Sequence, residues 1–248
     1  MRRSLAVLAL ATLAVAGCGG ATTSVPTHST LTAGLSGASA TQDTPPAAVV
    51  ERAQAADPRS SLTIYATAGG KILTRLKPTT PYGSRLTLMV DSATPLGSMW
   101  LHVYLPTRPN GSMGWVKAGD VTLNRVDDAI LVNVEAKTVT VAVAGRLPVA
   151  GPAAVGTKTD PTPKGIGYVT DVLAPANAKG AYGAIALGLS FHSDVLKTFG
   201  GSDGQIGMHG TNEPASLGKE ASHGCIRVSA AMDKLLAQIP LGTPITIS

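Results

Sequence analysis

The sequence predicts a mainly β protein, with a small β-barrel followed by a second β region that contains one amphipathic helix. Three observations predict this fold class. Short runs rich in β-branched and aromatic residues recur between turns that contain Gly, Pro or Asn. This pattern restarts near residue 125, and only one later stretch has a helical apolar period. The chain has 248 residues, 44% hydrophobic and 14% charged, which is ample apolar material for a core.

Residues 1–17 predict a secretory signal peptide. Arg2 and Arg3 precede an apolar run that is shorter than the roughly 20 residues a spanning helix needs. The run ends in the small residues before Cys18, which resemble a bacterial lipobox, where cleavage precedes the cysteine and its sulfur carries the lipid. The alternative is an ordinary signal peptide with an incidental cysteine. We expect an exported protein anchored through Cys18 to the outer face of the cytoplasmic membrane, acting at the cell wall.

Residues 18–57 predict a flexible tether between that lipid and the folded regions, because they are rich in Ala, Thr, Ser, Pro and Gly. The formal net charge of the whole chain is +5, and removing residues 1–17 lowers it to +3. The basic residues are spread along the chain without a Lys/Arg run, so we expect no nucleic-acid partner.

Residues 58–124 predict the small β-barrel. The apolar runs SLTIYAT, KILTRLK, RLTLMVD, MWLHVYLP and GWVKAGDVTL alternate with turns, and Pro109-Asn110-Gly111 indicates a hairpin. Trp100 and Trp115, which we expect in the core, lie in a pattern that resembles a bacterial Src-homology-3-like domain. Such domains often bind cell-wall peptides, and the alternative is a packing module that braces the rest. No nucleophile–base pair is present, so we expect this region to assist placement and do no chemistry.

Residues 125–248 predict the second β region. The runs ILVNV and TVTVAV flank the charged turn Glu135–Lys137, and GIGYVTDVL, AIALGLS and the final TPITIS predict further strands. A loop is predicted over residues 156–165. In SAAMDKLLAQI the apolar residues Ala231, Leu235, Leu236 and Ile239 recur at helical spacing and predict one amphipathic helix.

The cysteine count directs attention to Cys225. The chain has two cysteines, and acylation of Cys18 leaves Cys225 as a lone thiol in an exported protein. A lone thiol is a liability in that compartment unless its reactivity is needed. We therefore consider Cys225 a candidate nucleophile.

The neighbours of Cys225 suit thiol catalysis, since a thiol near its ordinary pKa needs a base or a local field that favours thiolate. His209 is sixteen residues upstream and His223 is two residues before the thiol. Gly224 lets the backbone turn tightly, and the amides around it could form an oxyanion hole. Arg227 can pair with a carboxylate in a bidentate way.

Two alternatives remain at this point. His192, His209, His223 and Cys225 include possible zinc ligands, although none has the spacing of common zinc sites. The cysteine could also be inert and buried, with histidines packed beside it, but the glycines flanking these residues argue against simple core packing.

The segment His209-Gly210-Thr211, followed by SHGCIR at residues 222–227, resembles the L,D-transpeptidase family with its YkuD-type catalytic domain. The segments 162–165, 186–190 and 242–245 follow the usual order of that domain. The resemblance covers residues 127–248 and implies a β-sandwich with one amphipathic helix. It implies roles for individual residues: Cys225 as nucleophile, His209 as general base and acid, Gly210, His223 and Gly224 as orienting or oxyanion residues, and Ser222 and Arg227 on the substrate-binding side.

Some of these roles stay open. Ser222 is also expected to support the loop through hydrogen bonds, and Arg227 could hold a substrate carboxylate or a structural partner. His192 has no catalytic role that the resemblance implies.

The resemblance also implies a reaction. The enzyme would form 3–3 cross-links between tetrapeptide stems of peptidoglycan through a cysteine thioester, with no metal and no other cofactor. Carbapenem-type β-lactams would acylate Cys225. Two alternatives are an L,D-carboxypeptidase or wall-peptide hydrolase, and a non-catalytic lipoprotein that binds peptidoglycan.

Overall fold

Strands dominate the structure, a computed structural model that describes residues 50–248. The predicted signal peptide, Cys18 and most of the predicted tether lie outside the described residues. Val50–Ala55 forms a strand that pairs along its whole length with residues 121–126. The prediction of a tether as far as residue 57 is therefore wrong for Val50–Ala55. Burial of Val50, Ala53 and Ala55, with Ala53 fully buried, explains why this strand joins the fold.

The first part of the fold, here called the N-terminal region, comprises residues 50–126. Its strands are β1 Val50–Ala55, β2 Leu62–Tyr65, β3 Ile72–Leu76, β4 Thr87–Met89, β5 Trp100–Tyr104, β6 Met113–Lys117 and β7 Val121–Val126. They form a three-stranded sheet in the order β4-β1-β7 and a four-stranded sheet in the order β3-β2-β6-β5. The predicted hairpin between β5 and β6 is present, with Trp100 opposite Lys117. The resemblance of this region to a bacterial Src-homology-3-like domain stays a prediction.

The core of the N-terminal region is aliphatic. Its fully buried side chains include Ile64, Leu88, Val103 and Val116. The prediction that Trp100 and Trp115 belong to this core is wrong, because strand alternation turns both to the outer, half-buried face of β5 and β6. On that face the ring of Trp100 meets Tyr65 at 5.0 Å, and Trp115 stacks on His102 at 4.6 Å.

The remaining residues, 127–248, are here called the C-terminal region. Its elements are β8 Ala129–Asn133, β9 Thr138–Ala142, β10 Val149–Pro152, β11 Val155–Gly156, β12 Gly165–Leu173, β13 Ala186–His192, β14 Gln205–His209, β15 Glu220–Ser222, β16 Ile226–Arg227, the helix α1 Ala230–Leu236 and β17 Pro244–Ile247. The predicted hairpin at Glu135–Lys137 joins β8 to β9. Within the described chain α1 is the one α-helix, so the prediction of a mainly β fold with one helix is confirmed.

Eight strands of the C-terminal region form one curled sheet, in the order β10-β9-β8-β17-β12-β13-β14-β16. Side chains from both ends of this order, such as Val141 on β9 and Met208 on β14, belong to one buried cluster. A sheet must curve to bring such distant strands around a common core. Beside it, β11 and β15 form a separate parallel pair. The curl brings β14 and β16 to the edge where the candidate site lies.

Helix α1 closes one side of that core. Ser229 caps its first turn by accepting a hydrogen bond from the amide of Met232 at 3.2 Å. The residues that α1 buries are Met232, Asp233 and Leu236, whereas Ala231 is exposed. At the start of the helix the buried face therefore begins one residue later than predicted, at Met232 instead of Ala231. The helix also buries the acid Asp233, whereas the sequence pattern indicated only apolar residues on this face.

The N-terminal and C-terminal regions pack closely against each other, and all described residues belong to one compact unit. Strand β7 runs through residue 124, where the sequence suggested a boundary. Tyr168 of β12 is fully buried among the apolar side chains of the N-terminal region. Arg52 of β1 donates a hydrogen bond to the carbonyl of Leu241 at 2.7 Å. Within residues 50–248, no helix has the length and hydropathy needed to cross a membrane.

Candidate active site

Two adjacent strands bring Cys225 and His209 to one place. Strands β14 and β16 pair in parallel, with His209 opposite Arg227, and Cys225 directly precedes β16. Gly207 lies close to both side chains, and its amide donates to Cys225 Sγ at 3.4 Å. A Cβ atom on Gly207 would lie 3.9 Å from both Cys225 Sγ and His209 Cδ2. The thiol and the imidazole are therefore both within van der Waals distance of one point beside Gly207.

The imidazole of His209 is held in one orientation. Its Nδ1 donates to the carbonyl oxygen of Gly210 at 2.6 Å, which leaves Nε2 as the nitrogen that can accept a proton. Burial lowers the pKa of His209, and the positive charge of Arg227 acts in the same direction, while the hydrogen bond to Gly210 opposes them. The imidazole is therefore neutral at pH 7, as a general base must be.

The thiol of Cys225 is protonated in the resting protein. Burial raises the pKa of this thiol, although the amide of Gly207 and the charge of Arg227 favour the thiolate and partly offset burial. A neutral thiol beside a neutral imidazole is an arrangement in which the base takes the proton as the sulfur attacks.

A tight turn over residues 222–225 fixes the thiol. The hydroxyl of Ser222 donates to the carbonyl of Cys225 at 2.5 Å and accepts from the amide of Gly224 at 3.1 Å. Gly224 has φ +113°, and a Cβ there would lie 2.9 Å from Ile206 Cδ1, so only glycine fits. Two expectations change. Ser222 is buried and supports the turn instead of facing a substrate, and the amide of Gly224 is engaged and is not a free oxyanion donor.

Thr162 is a supporting residue that the sequence analysis missed. Its buried hydroxyl donates to the carbonyl of Gly224 at 2.8 Å and accepts from the amide of Gly156 at 2.8 Å. It therefore ties the loop after β11 to the turn that carries the thiol. The sequence analysis named Thr162 only within the predicted loop and within the segment 162–165 that carries the resemblance, and nothing in its spacing indicated a contact 62 residues away.

Asp233 of helix α1 is the second missed residue, and its carboxylate lies beside Gly210, whose carbonyl orients His209. Its carboxylate, almost fully buried, accepts hydrogen bonds from the amides of Ala184 at 2.7 Å and Ile185 at 3.2 Å. A Cβ on Gly210 would lie 2.6 Å from the Oδ2 atom of Asp233, so the His-Gly pair allows this close approach. An acid inside a mostly apolar helix was the signal that could have identified it.

The side chains of Arg227 and His223 form no hydrogen bond with the thiol of Cys225 or the imidazole of His209. The guanidinium of Arg227 pairs with Glu213, with Nη1 2.6 Å from Oε2, so its partner in this structure is a residue of the protein. The side chain of His223 is exposed and its ring lies 5.1 Å from that of Phe199. His223 therefore belongs to the rim of the site, and its side chain does not form the turn.

His192 lies in a different environment from Cys225. It is buried, and its Nε2 is 3.1 Å from an Oδ2 atom of Asp203. Its backbone amide and carbonyl both bond to the side chain of Asn110, at 2.8 Å each. Across residues 50–248 no three His, Cys, Asp or Glu side chains are grouped closely enough to hold a metal ion.

The thiol and the imidazole open into a cavity of about 400 Å³. Its walls are mostly apolar and include three partly exposed aromatic side chains, Tyr82, Tyr182 and Phe199. The ring of Tyr182 lies 4.8 Å from that of His209, tilted by 59°. A cavity of this size accommodates a ligand of a few hundred daltons.

This geometry defines a thiol–imidazole site of the kind used for acyl transfer. The comparisons with known proteins agree: residues 127–247 match the family model YkuD, the L,D-transpeptidase catalytic domain. The L,D-transpeptidase YkuD of Bacillus subtilis is 36% identical over 120 residues, which cover 48% of this chain and 65% of that protein. The C-terminal region therefore belongs to the L,D-transpeptidase catalytic-domain family, and the predicted family is confirmed.

Solved structures of the same family are also similar to this chain. An L,D-transpeptidase from Mycobacterium smegmatis is 17% identical with a TM-score of 0.41, covering 66% of this chain and 91% of that one. L,D-transpeptidase 3 from Mycobacterium tuberculosis, solved with a faropenem-derived adduct, is 12% identical with a TM-score of 0.38, covering 66% and 92%.

Proposed function

We propose that this protein is a peptidoglycan L,D-transpeptidase that forms 3–3 cross-links through a thioester on Cys225. The observation that carries the proposal is the placement of Cys225 and His209 close to the same residue, Gly207, with the imidazole oriented by the carbonyl of Gly210. Membership of the L,D-transpeptidase family supports the substrate class.

In the first half of the reaction, Cys225 Sγ attacks the carbonyl carbon of the bond between the third residue of a tetrapeptide stem and its terminal D-alanine. His209 Nε2 takes the thiol proton as the sulfur–carbon bond forms. The carbon–nitrogen bond then breaks, and the same proton passes to the nitrogen of the departing D-alanine. The products are a thioester on Cys225, free D-alanine and a neutral imidazole.

In the second half, an amine from a neighbouring stem attacks the thioester carbonyl. His209 accepts a proton from this amine and returns it to the sulfur as the sulfur–carbon bond breaks. An amide bond links the two stems, and the thiol is regenerated. The thioester conserves the energy of the original amide, so no nucleotide is needed. Water in place of the amine would give the carboxypeptidase reaction, and the apolar walls of the cavity favour the transferase by limiting water.

The test is the mass of the intact protein during turnover. On incubation with purified tetrapeptide stems we expect a mass increase on Cys225 equal to the stem minus D-alanine, followed by cross-linked dimers in solution. A chelator should leave both signals unchanged. A hydrolase would give the mass increase with tripeptide products and no dimers. Binding of stems with neither a covalent adduct nor products would indicate a non-catalytic wall-binding protein and contradict the proposal.

We also propose that carbapenem-type β-lactams acylate Cys225. Their strained amide presents a carbonyl carbon to the same sulfur, and the cavity is large enough for a molecule of that size. Opening of the lactam leaves the nitrogen attached to the acyl group, so the whole inhibitor mass is added to the protein.

A further proposal concerns location: export, cleavage before Cys18 and a lipid on its sulfur, so that the enzyme works from the outer face of the cytoplasmic membrane. Its support is the apolar run that ends at Gly17. We expect Cys18→Ala to move the protein out of the membrane fraction or to leave it uncleaved, which fractionation and N-terminal mass analysis detect. Cys225→Ala is the matched control and should stay in the membrane fraction. A processed, unacylated wild-type N-terminus would contradict the lipid anchor.

A further inference from the structure

The N-terminal region contributes one wall of the cavity that contains Cys225. A loop joins β3 to β4, and Tyr82 at its tip lines the same cavity as Cys225 and His209. On the sequence alone we expected this region to assist placement and to do no chemistry. The structure instead brings a side chain from it to the candidate active site, across more than 120 residues of chain.

Backbone hydrogen bonds close the loop that carries Tyr82 into a turn. The amide of Thr80 donates to the carbonyl of Ser84 at 2.8 Å, and the amide of Gly83 donates to the carbonyl of Thr80 at 3.0 Å. Gly83 has φ +86°, a conformation that favours glycine and sets the direction of the turn. Tyr82 is therefore presented from a closed turn with several internal hydrogen bonds.

The same turn is attached to the C-terminal region. The hydroxyl of Thr80 donates to the carboxylate of Asp171, which is fully buried on β12. Strand β12 continues from Asp171 to Leu173, which itself lines the cavity. The contact fixes Tyr82 relative to this wall, so its position in the cavity does not depend on loop packing alone.

The side chain of Tyr82 is available to a ligand. It is 46% exposed, although its ring stands in a cavity lined nearby by Leu173, Ala174 and Pro175. No Asp, Glu, Lys or Arg side chain is among the residues that line this cavity, and the imidazole of His209 and the thiol of Cys225 in it are neutral. An aromatic ring among apolar neighbours suits an aliphatic part of a ligand, with the hydroxyl remaining toward water.

We propose that Tyr82 is a specificity-determining residue that contacts an aliphatic segment of the acyl donor while Cys225 attacks the donor carbonyl. In the proposed function, on which this substrate identity rests, that segment is the methylene chain of the diamino acid in the stem. The role of the N-terminal region then includes recognition of the substrate as well as placement of the enzyme.

Thiol-directed probes test the aliphatic contact independently of the natural substrate. Iodoacetamide and N-hexyl iodoacetamide both alkylate Cys225, since the thiolate forms a carbon–sulfur bond as iodide leaves. We expect Tyr82→Ala to slow the hexyl probe by between about twofold and tenfold, the range of one aromatic contact. Iodoacetamide should react within about twofold of the wild-type rate in the same variant. Tyr82→Phe should match the wild type with both probes, because the ring is kept.

Stem turnover tests the same residue against the natural reaction. Tyr82→Ala should lower kcat/KM for tetrapeptide stems by a similar factor, mainly through KM, because it removes binding energy remote from the reacting atoms. Leu96→Ala is the control, since this leucine is 88% exposed and does not line the cavity. Thermal unfolding of each variant separates loss of recognition from loss of folding.

The outcomes separate the two proposals. Equal rates of wild type and Tyr82→Ala with the hexyl probe would overturn the role of Tyr82, as would an equal slowing of both probes. Tyr82→Ala could react more slowly with the hexyl probe alone, while the wild type forms no acyl-enzyme with stems. That pair of results would support the aliphatic contact and contradict the proposed function.

Discussion

We expect Cys225→Ala to abolish covalent capture of both stem peptides and carbapenems, because its sulfur is the proposed nucleophile. The reason is that no other thiol lies within residues 50–248, and the turn over residues 222–225 presents only this side chain to the cavity. The loss of turnover should reach about 10⁴-fold to 10⁶-fold, as when the nucleophile of a catalytic unit is removed. Intact-protein mass spectrometry and muropeptide chromatography measure the two effects separately.

The fold should tolerate this change, so activity and stability can be separated. The turn is held by the hydroxyl of Ser222 and the carbonyl of Cys225, a bond that a side-chain truncation leaves in place. Cys225→Ser is a second variant of closer shape, and it too should lose turnover, because an alkoxide is much harder to form than a thiolate. Residual cross-linking by Cys225→Ala at more than one part in about a thousand of the wild-type rate would contradict the assignment.

Much of the fold could be predicted from the sequence. The runs KILTRLK and TVTVAV became β3 and β9. In TVTVAV the β-branched residues alternate, which encodes a half-buried strand locally. Strand β1 was missed because VERAQA has small and charged residues, and only its long-range pairing with β7 makes it a strand. Trp100 was misplaced for a related reason, since alternation alone does not say which face of a strand is the inner one.

The candidate site was predicted in part. The glycine-flanked thiol and the His-Gly pair are local patterns, and the structure places Cys225 and His209 as neighbours around Gly207. Their supports come from distant chain segments: Thr162 reaches the turn of the thiol, and Asp233 reaches the loop beside His209. Such contacts depend on the curl of the sheet, which no local period specifies. Tyr82 is the extreme case, because it comes from a region with no chemical motif.

The expected role of Gly224 also needed the structure. From the sequence its amide was a candidate oxyanion donor, but Ser222 accepts that hydrogen bond and Thr162 donates to the Gly224 carbonyl. The glycine serves the sharp turn instead. A sequence pattern can indicate that a backbone amide lies near the reactive thiol, but the hydrogen-bond partners of that amide decide its role.

His209→Ala separates the base from the nucleophile. This variant keeps the thiol of Cys225, and we expect acylation at pH 7 to slow by about 10²-fold to 10⁴-fold, the usual contribution of a general base. Residual turnover of stems by the double variant with Cys225→Ala should be no lower than that of Cys225→Ala alone, because the two groups act in the same step. The measurement is the acylation rate by carbapenem, followed by intact mass, over a range of pH.

The pH dependence distinguishes a lost base from a damaged site. In the wild type, the lowered pKa of His209 means that the imidazole is already deprotonated near neutral pH, so the rate should rise only below pH 6.5 and then level off. In His209→Ala no base remains, so the rate should keep rising with pH as thiolate forms. Because burial raises the pKa of Cys225, this rise should extend beyond about pH 8.5.

His223→Ala is the matched control, since it also removes an imidazole close in sequence to the thiol. Its ring is exposed against Phe199 and holds no bond of the turn, so its acylation rate should level off with pH as the wild-type rate does. A His209→Ala rate that stays low and flat up to about pH 10 would show that the imidazole organises the site and is not its base. A rising profile in His223→Ala, with a level one in His209→Ala, would assign the base to His223 instead, since only loss of the true base makes the rate depend on how much thiolate forms unaided.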